Sequence, residues 1–174
     1  MEITEEKTEF EKKHSKEQNL KKLKKAYEEI STKYNFPNFN FMNENFEIEN
    51  IQVEETELFL KMIRKHVTEK IFFFLRSLEM FINPQAAPVF IMNIIKQLSE
   101  SEKETIKELY KKLARYEIEA FGLEAEYNEK KEAEFVKKLV DDWKDISGDL
   151  KFVYQAMKDN HEKEFKKSTK SYFG

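Results

Sequence analysis

Glu11 and His14 stand three residues apart, the Glu-x-x-His spacing with which helical bundles hold di-iron centres. Such a centre needs two of these pairs and two further glutamates; this chain has one pair, in its most charged segment. His66 and His161 lie on other segments, and His66 adjoins the apolar Val67, so it reads as a structural or surface histidine. No serine is accompanied by a histidine and an acid in nucleophile order. Three glycines cannot build a phosphate-binding loop, and the absence of cysteine removes disulfides, thiolate nucleophiles and cysteine metal sites. The chemistry-bearing residues therefore predict a non-enzymatic protein with no catalytic group, no metal and no cofactor.

Two charged features remain as candidate contacts. Arg76 sits among the phenylalanines of Ile71-Phe72-Phe73-Phe74-Leu75, where it is either an anion contact or a guanidinium whose stem lies along apolar surface. Lys21, Lys22, Lys24 and Lys25 form a basic patch on a predicted helix, suited to nucleic-acid phosphates or an anionic membrane. Residues 44–57 supply an opposing acidic block, Glu44, Glu47, Glu49, Glu54, Glu55 and Glu57, and pairing within the fold is the simpler use of both. Sequence-specific nucleic-acid reading is not expected. The formal net charge is −3, and Arg64, Arg76 and Arg115 are the only arginines for bidentate recognition.

The elements that must position these residues are helical. The chain has 174 residues, 40% of them hydrophobic, with only three glycines and three prolines, which predicts an all-α fold with a real core. The charged opening Met1-Glu2-Ile3-Thr4-Glu5-Glu6 predicts no secretory signal and hence a cytoplasmic protein. The longest uncharged stretch, Met80 to Ile95, is shorter than the roughly 20 residues that span a bilayer and is broken by Pro84 and Pro88, so no transmembrane segment is expected.

Leu60, Ile63, Val67, Ile71, Phe74, Leu78 and Phe81 recur at spacings of three and four. This predicts a central helix over about 53–82. Phe59, Met62, Phe73 and Met80 form a second stripe on it, which predicts packing on more than one side. A short helix over about 84–98 follows, with Asn83 as its N-cap and Pro84 in its first turn.

Ser99 with Glu102, or Ser101 with Glu104, fits a capping box that opens the next helix. Ile106, Leu109, Leu113, Tyr116, Ala120 and Leu123 then keep one strict seam, and Val136, Leu139, Trp143, Ile146, Leu150 and Val153 keep another, out of phase with the first. The phase break places a turn at 128–132, with Asn128 as the helix stop. The result is a long antiparallel, coiled-coil-like hairpin over about 99–127 and 132–160. Folding about residue 130 sets Tyr116 against Trp143, Leu113 against Ile146 and Lys112 against Asp149. The same register brings the carboxylates Glu119 and Asp142 opposite each other, the one place for a carboxylate metalloenzyme. Arg115 and Lys138, each four residues before one of them, offer intrahelical partners instead.

Residues 1–18 read as a charged, disordered tail, and residues 161–174 as a Lys-rich tail, with a single helical domain over 19–160. Within it, residues 35–52 hold Pro37 and five asparagines between Asn35 and Asn45, which predicts an extended strap. Its phenylalanines Phe36, Phe39, Phe41 and Phe46 are either anchors on the bundle or a surface for a protein partner. The expected function is a helical interaction or scaffold protein that binds a partner or itself; the alternative is a nucleic-acid or anionic-membrane module using the basic patch.

Overall fold

A computed structural model describes the backbone at residues 2–53 and 58–172, and the side chains at 15–53, 58–85 and 87–163. Among the described residues the regular structure is entirely helical. The helices are α1 (Glu2–Tyr34), α2 (Phe39–Phe46), α3 (Phe59–Ile82), α4 (Val89–Gln97), α5 (Glu100–Ala125) and α6 (Glu129–Tyr172), with 3-10 turns at Ile48–Asn50 and Pro84–Ala86. The fold is an all-α helical bundle. Backbone packing divides it into two compact units, one made of Met1–Val67 with Leu123–Lys137 and the other of Thr68–Gly122 with Lys138–Gly174. None of the helices among the described residues is long and apolar enough to cross a membrane.

In the first unit, Leu23 and Tyr27 of α1 are buried with Met42, Ile48 and Ile63. The Tyr27 hydroxyl donates to the Pro37 carbonyl at 2.7 Å, and burial pushes its pKa well above the usual tyrosine value. The Asn19 side chain donates to the Ile51 carbonyl and accepts from the Val53 amide, tying α1 to the segment after α2.

The extended strap expected over 35–52 is instead folded, and the asparagines are the reason. Asn38 accepts the Phe41 amide at 2.9 Å and so caps α2, and Asn45 donates to the Phe41 carbonyl. Asn43 exchanges two hydrogen bonds with Glu49. Residues that compete with a long helix interior serve a two-turn helix well, because most of its backbone groups lie near an end. Glu47 stops α2 in the left-handed region (φ 57°), its amide donating to the Asn43 carbonyl, and His66 Nε2 donates to the Glu47 carbonyl at 3.1 Å. His66 is thus a structural donor to a helix terminus. The acidic block and the Lys-rich stretch meet through Asn19; Glu54, Glu55, Glu57 and the side chains of Glu11 and His14 lie outside the described residues.

In the second unit, Ile71, Leu75 and Leu78 of α3 are buried, as are Ile91 and Ile94 of α4. The predicted helix over 84–98 starts late. Pro84–Ala86 make a 3-10 turn without a side-chain cap from Asn83, Ala87 is extended, and α4 begins at Val89. Pro88 forces this, because proline drives the residue before it out of helical dihedrals. Ser99 and Glu102 form the capping box of α5: the Glu102 carboxylate accepts the Ser99 amide at 2.6 Å, and Ser99 Oγ accepts the Glu102 amide at 3.3 Å.

The hairpin of α5 and α6 is present. The hydroxyl of Tyr116 donates to Asp142 at 2.7 Å and Lys138 reaches Glu119. Both seams are inside: Leu109, Leu113, Tyr116, Leu139, Trp143 and Ile146 are buried. Three details differ from the sequence reading. α6 begins at Glu129, and Asn128 is its N-cap, accepting the Lys131 amide at 3.0 Å, rather than the stop of α5. Lys112 pairs with Asp142 (3.7 Å), about two turns from the expected Asp149. The partners of Glu119 and Asp142 come across the hairpin, Lys138 and Lys112, and not from their own helices. Each carboxylate is thus met by a lysine from the opposite helix, so the like-charged pair is neutralised where it stands.

Neither end of the domain follows the apolar periodicity. α1 starts at Glu2, and α6 runs to Tyr172. Lys and Glu are good helix formers without any apolar stripe, so a charged segment continues a helix that packing has already nucleated.

Candidate interaction surface

The surface of the second unit carries what its core does not need. Phe73, Val89, Phe90, Ile118, Phe121 and Tyr154 are each more than half exposed, from 57% for Phe90 to 79% for Phe121. All six belong to the second unit. Among the described residues the first unit exposes no large apolar side chain to that extent, since its most open ones, Leu58 and Tyr127, are at 38%. Ile118 and Phe121 lie one turn apart on α5, opposite the face that buries Leu113 and Tyr116. Val89 and Phe90 open α4.

The second stripe of α3 is divided. Phe59 is buried and Met62 half-buried in the first unit, whereas Phe73 is 65% exposed in the second. There Glu69, Phe72, Phe73, Arg76, Ser77 and Met80 line an open groove of about 480 Å³ on the side of α3 away from Ile71, Leu75 and Leu78. Arg76 is exposed in this groove, surrounded by apolar surface. The expectation that α3 is covered on both apolar faces therefore holds for its beginning and not for its second half.

The other sequence candidates take different places. Phe36 and Phe46 are buried in the first unit, and Phe41 is half-buried. Phe39 is half-buried, edge-on to Tyr27 at 5.7 Å, with Lys24 Nζ 5.4 Å from its ring centre. Lys21, Lys22 and Lys25 are exposed on α1. Asp142 lines a cleft of about 290 Å³ together with Lys112, Arg115, Tyr116 and Lys138, and Lys138 donates to Glu119. Its polar groups are largely engaged with one another. Burial and the bond to Asp142 push the Tyr116 hydroxyl far above the usual range, so it stays a proton donor to that carboxylate. No group of three or more His, Asp or Glu placed to hold a metal ion occurs among the described residues. No protein-family profile, curated protein or solved structure matches this chain.

One polar centre was not singled out from the sequence. Arg64 is 2% exposed and Glu132 fully buried, and Arg64 Nε donates to Glu132 at 2.8 Å. Arg64 Nη2 donates to Glu124 at 2.6 Å, and Lys61 and Lys65 also reach that carboxylate, at 3.2 and 3.5 Å. The second oxygen of Glu132, Oε1, is buried with no hydrogen-bond partner among the described residues. The signal for this centre was available. Arg64 is four residues after Leu60 and three before Val67, and Glu132 is four before Val136, so both charges occupy seam positions.

Burial pushes the Glu124 carboxyl up, but hydrogen bonds from Arg64 and Lys61 outweigh it and hold it at about 2. A carboxylate depressed in the fold stabilises the protein above its unfolded pKa, and that contribution is lost as pH falls from about 4.5 toward 2. Glu124→Gln should therefore show a smaller drop in denaturant midpoint than the wild type between neutral pH and about pH 3, measured by circular dichroism. Equal drops would show that Glu124 carries none of the acid sensitivity.

Proposed function

We propose that this protein is a non-enzymatic helical interaction protein whose second unit binds a protein partner. The observation that carries this is the segregation of large exposed apolar residues: Phe73, Val89, Phe90, Ile118, Phe121 and Tyr154 all belong to that unit. Single exposed apolar residues are ordinary, but adjacent ones, such as Val89 with Phe90 on α4 and Ile118 with Phe121 one turn apart on α5, form larger apolar patches of the kind a partner covers. Aromatic side chains dominate the set, and such residues supply the anchors of most protein interfaces. In the cleft beside Tyr116 the non-enzymatic reading is supported by the way its groups engage one another: Tyr116 donates to Asp142, Lys112 pairs with Asp142, and Lys138 donates to Glu119.

A basic helix acting on anionic membranes is less well supported. Lys21, Lys22 and Lys25 are exposed, but Leu23 and Tyr27, the apolar side of the same helix, are consumed inside the first unit. An interfacial helix needs that side for the bilayer.

Site-specific photocrosslinking tests the reading. A photoreactive phenylalanine analogue at position 90 or 121 should crosslink to a discrete polypeptide in extracts of the native source, and the same analogue at the exposed Lys22 should not. Crosslinking that is equal at all three positions, or absent from all, would overturn the assignment of the second unit as the binding surface.

A further inference from the structure

The groove on α3 carries a charge pattern that names its occupant. Glu69 and Arg76 are seven residues apart on one helix, so they lie on the same side two turns from each other, about 10.5 Å along the axis. Phe72 and Phe73 fall midway between them, and all four line the groove. Both charged side chains are exposed, and neither makes an ion pair with another described residue. The two charges are too far apart on the helix to satisfy each other directly.

We propose that this face of α3 binds the same face of a second copy of the chain, antiparallel and about a twofold axis through Phe72 and Phe73. This inference rests on the interaction reading above and assigns one part of the second unit's surface, the α3 face, to a second copy. A twofold interface is self-complementary, so a residue that meets another is met by it in return. With Phe72 of one copy against Phe73 of the other, Glu69 meets Arg76 of the second copy, and Arg76 meets its Glu69. Both charges are then paired, and the aromatic centre is covered. In the parallel alternative Glu69 faces Glu69 and Arg76 faces Arg76, so the charge pattern selects one orientation. Arg76, expected from the sequence to contact an anion, contacts a carboxylate of its own kind of chain.

All six residues of this face come from one stretch of a single helix, a small contact beside a standard interface of about 800 Å² per partner. The association is accordingly a reversible one that grows with concentration. Sedimentation velocity across a micromolar concentration series should show the mass rising from 21.0 kDa toward twice that value. Arg76→Glu and Glu69→Arg each place two like-charged pairs in the interface and should weaken self-association by more than about tenfold. Mixing the two variants restores both opposite-charge pairs and should restore the dimer as a heterodimer. Since both side chains are exposed, neither substitution disturbs the core, and recovery on mixing shows that both variants are folded. A wild type that stays monomeric throughout, or variants that self-associate as well as it does, overturns this pairing. A monomeric wild type that still crosslinks from position 90 or 121 to a different polypeptide overturns the pairing alone and leaves the interaction reading in place.

Discussion

Arg64→Ala is expected to destabilise the protein by about 3–5 kcal/mol, the usual consequence of removing one member of a buried ion pair. The cost follows from what is left behind. Glu132 has no exposed surface, and one of its oxygens already lacks a hydrogen-bond partner, so without Arg64 the carboxylate loses the charged donor that holds it. Glu124 would fare better, because it retains Lys61 and Lys65 and is partly open to water. Glu132→Ala should be destabilising but less so, since Arg64 loses the partner of its Nε while its Nη2 still donates to Glu124. The instructive variant is the double one, Arg64→Leu with Glu132→Leu. Removing both charges removes both desolvation penalties, and it should be far less destabilising than either single change. Urea denaturation of the three variants, followed by circular dichroism, measures this. A double variant as unstable as the sum of the singles would show that the centre contributes net stability, and not mainly specificity for one arrangement of α3 and the hairpin tip.

Leu113→Ala is expected to destabilise by about 2–5 kcal/mol. Leu113 is fully buried on α5, within one turn of Leu109 and Tyr116, which are buried on the same seam. Deleting its three outer carbons removes apolar area from the interior and leaves a cavity that the rigid hairpin cannot close. Ile118→Ala on the same helix is the control. Ile118 is 72% exposed, so its truncation should change stability by no more than about 0.5 kcal/mol. A loss at Leu113 no greater than that at Ile118 would mean that the seam read from the three–four spacing is not the packed one.

Much of the architecture was legible because it depends on local periodicity. The seams through Leu113 and Ile146 and the capping box at Ser99 and Glu102 follow from spacing alone. The misreadings share a different cause. Asn128 was found at the right boundary with the wrong role, since asparagine serves a helix start as readily as a helix end. The asparagines around Phe39 and Phe46 signal interrupted helix, and whether the segment is extended or a two-turn helix depends on which groups they bond. Arg64 and Glu132 were passed over because a charged residue in an apolar series reads as an interruption, and each becomes tolerable only through the other, 68 positions away.

The exposed apolar residues of the second unit illustrate the same limit. Spacing shows that α3 is apolar on two sides, but not which side the rest of the chain covers. Phe152 and Tyr154 widen the apolar arc of α6 just as Phe135 and Val140 do, yet the latter two are buried and the former exposed. Coverage is a property of tertiary packing. The residues left uncovered are therefore where folding no longer explains the sequence, and they are the basis of the binding proposal.

The most direct measurement is affinity capture with the wild-type protein and the double variant Phe90→Asp, Phe121→Asp, each at matched folded concentration. Both side chains are more than half exposed, so the variant should keep the wild-type denaturation midpoint. The interaction reading requires that the wild type retain a defined partner in stoichiometric amount and that the variant lose it. Equal retention by both proteins, with folding intact, would contradict it.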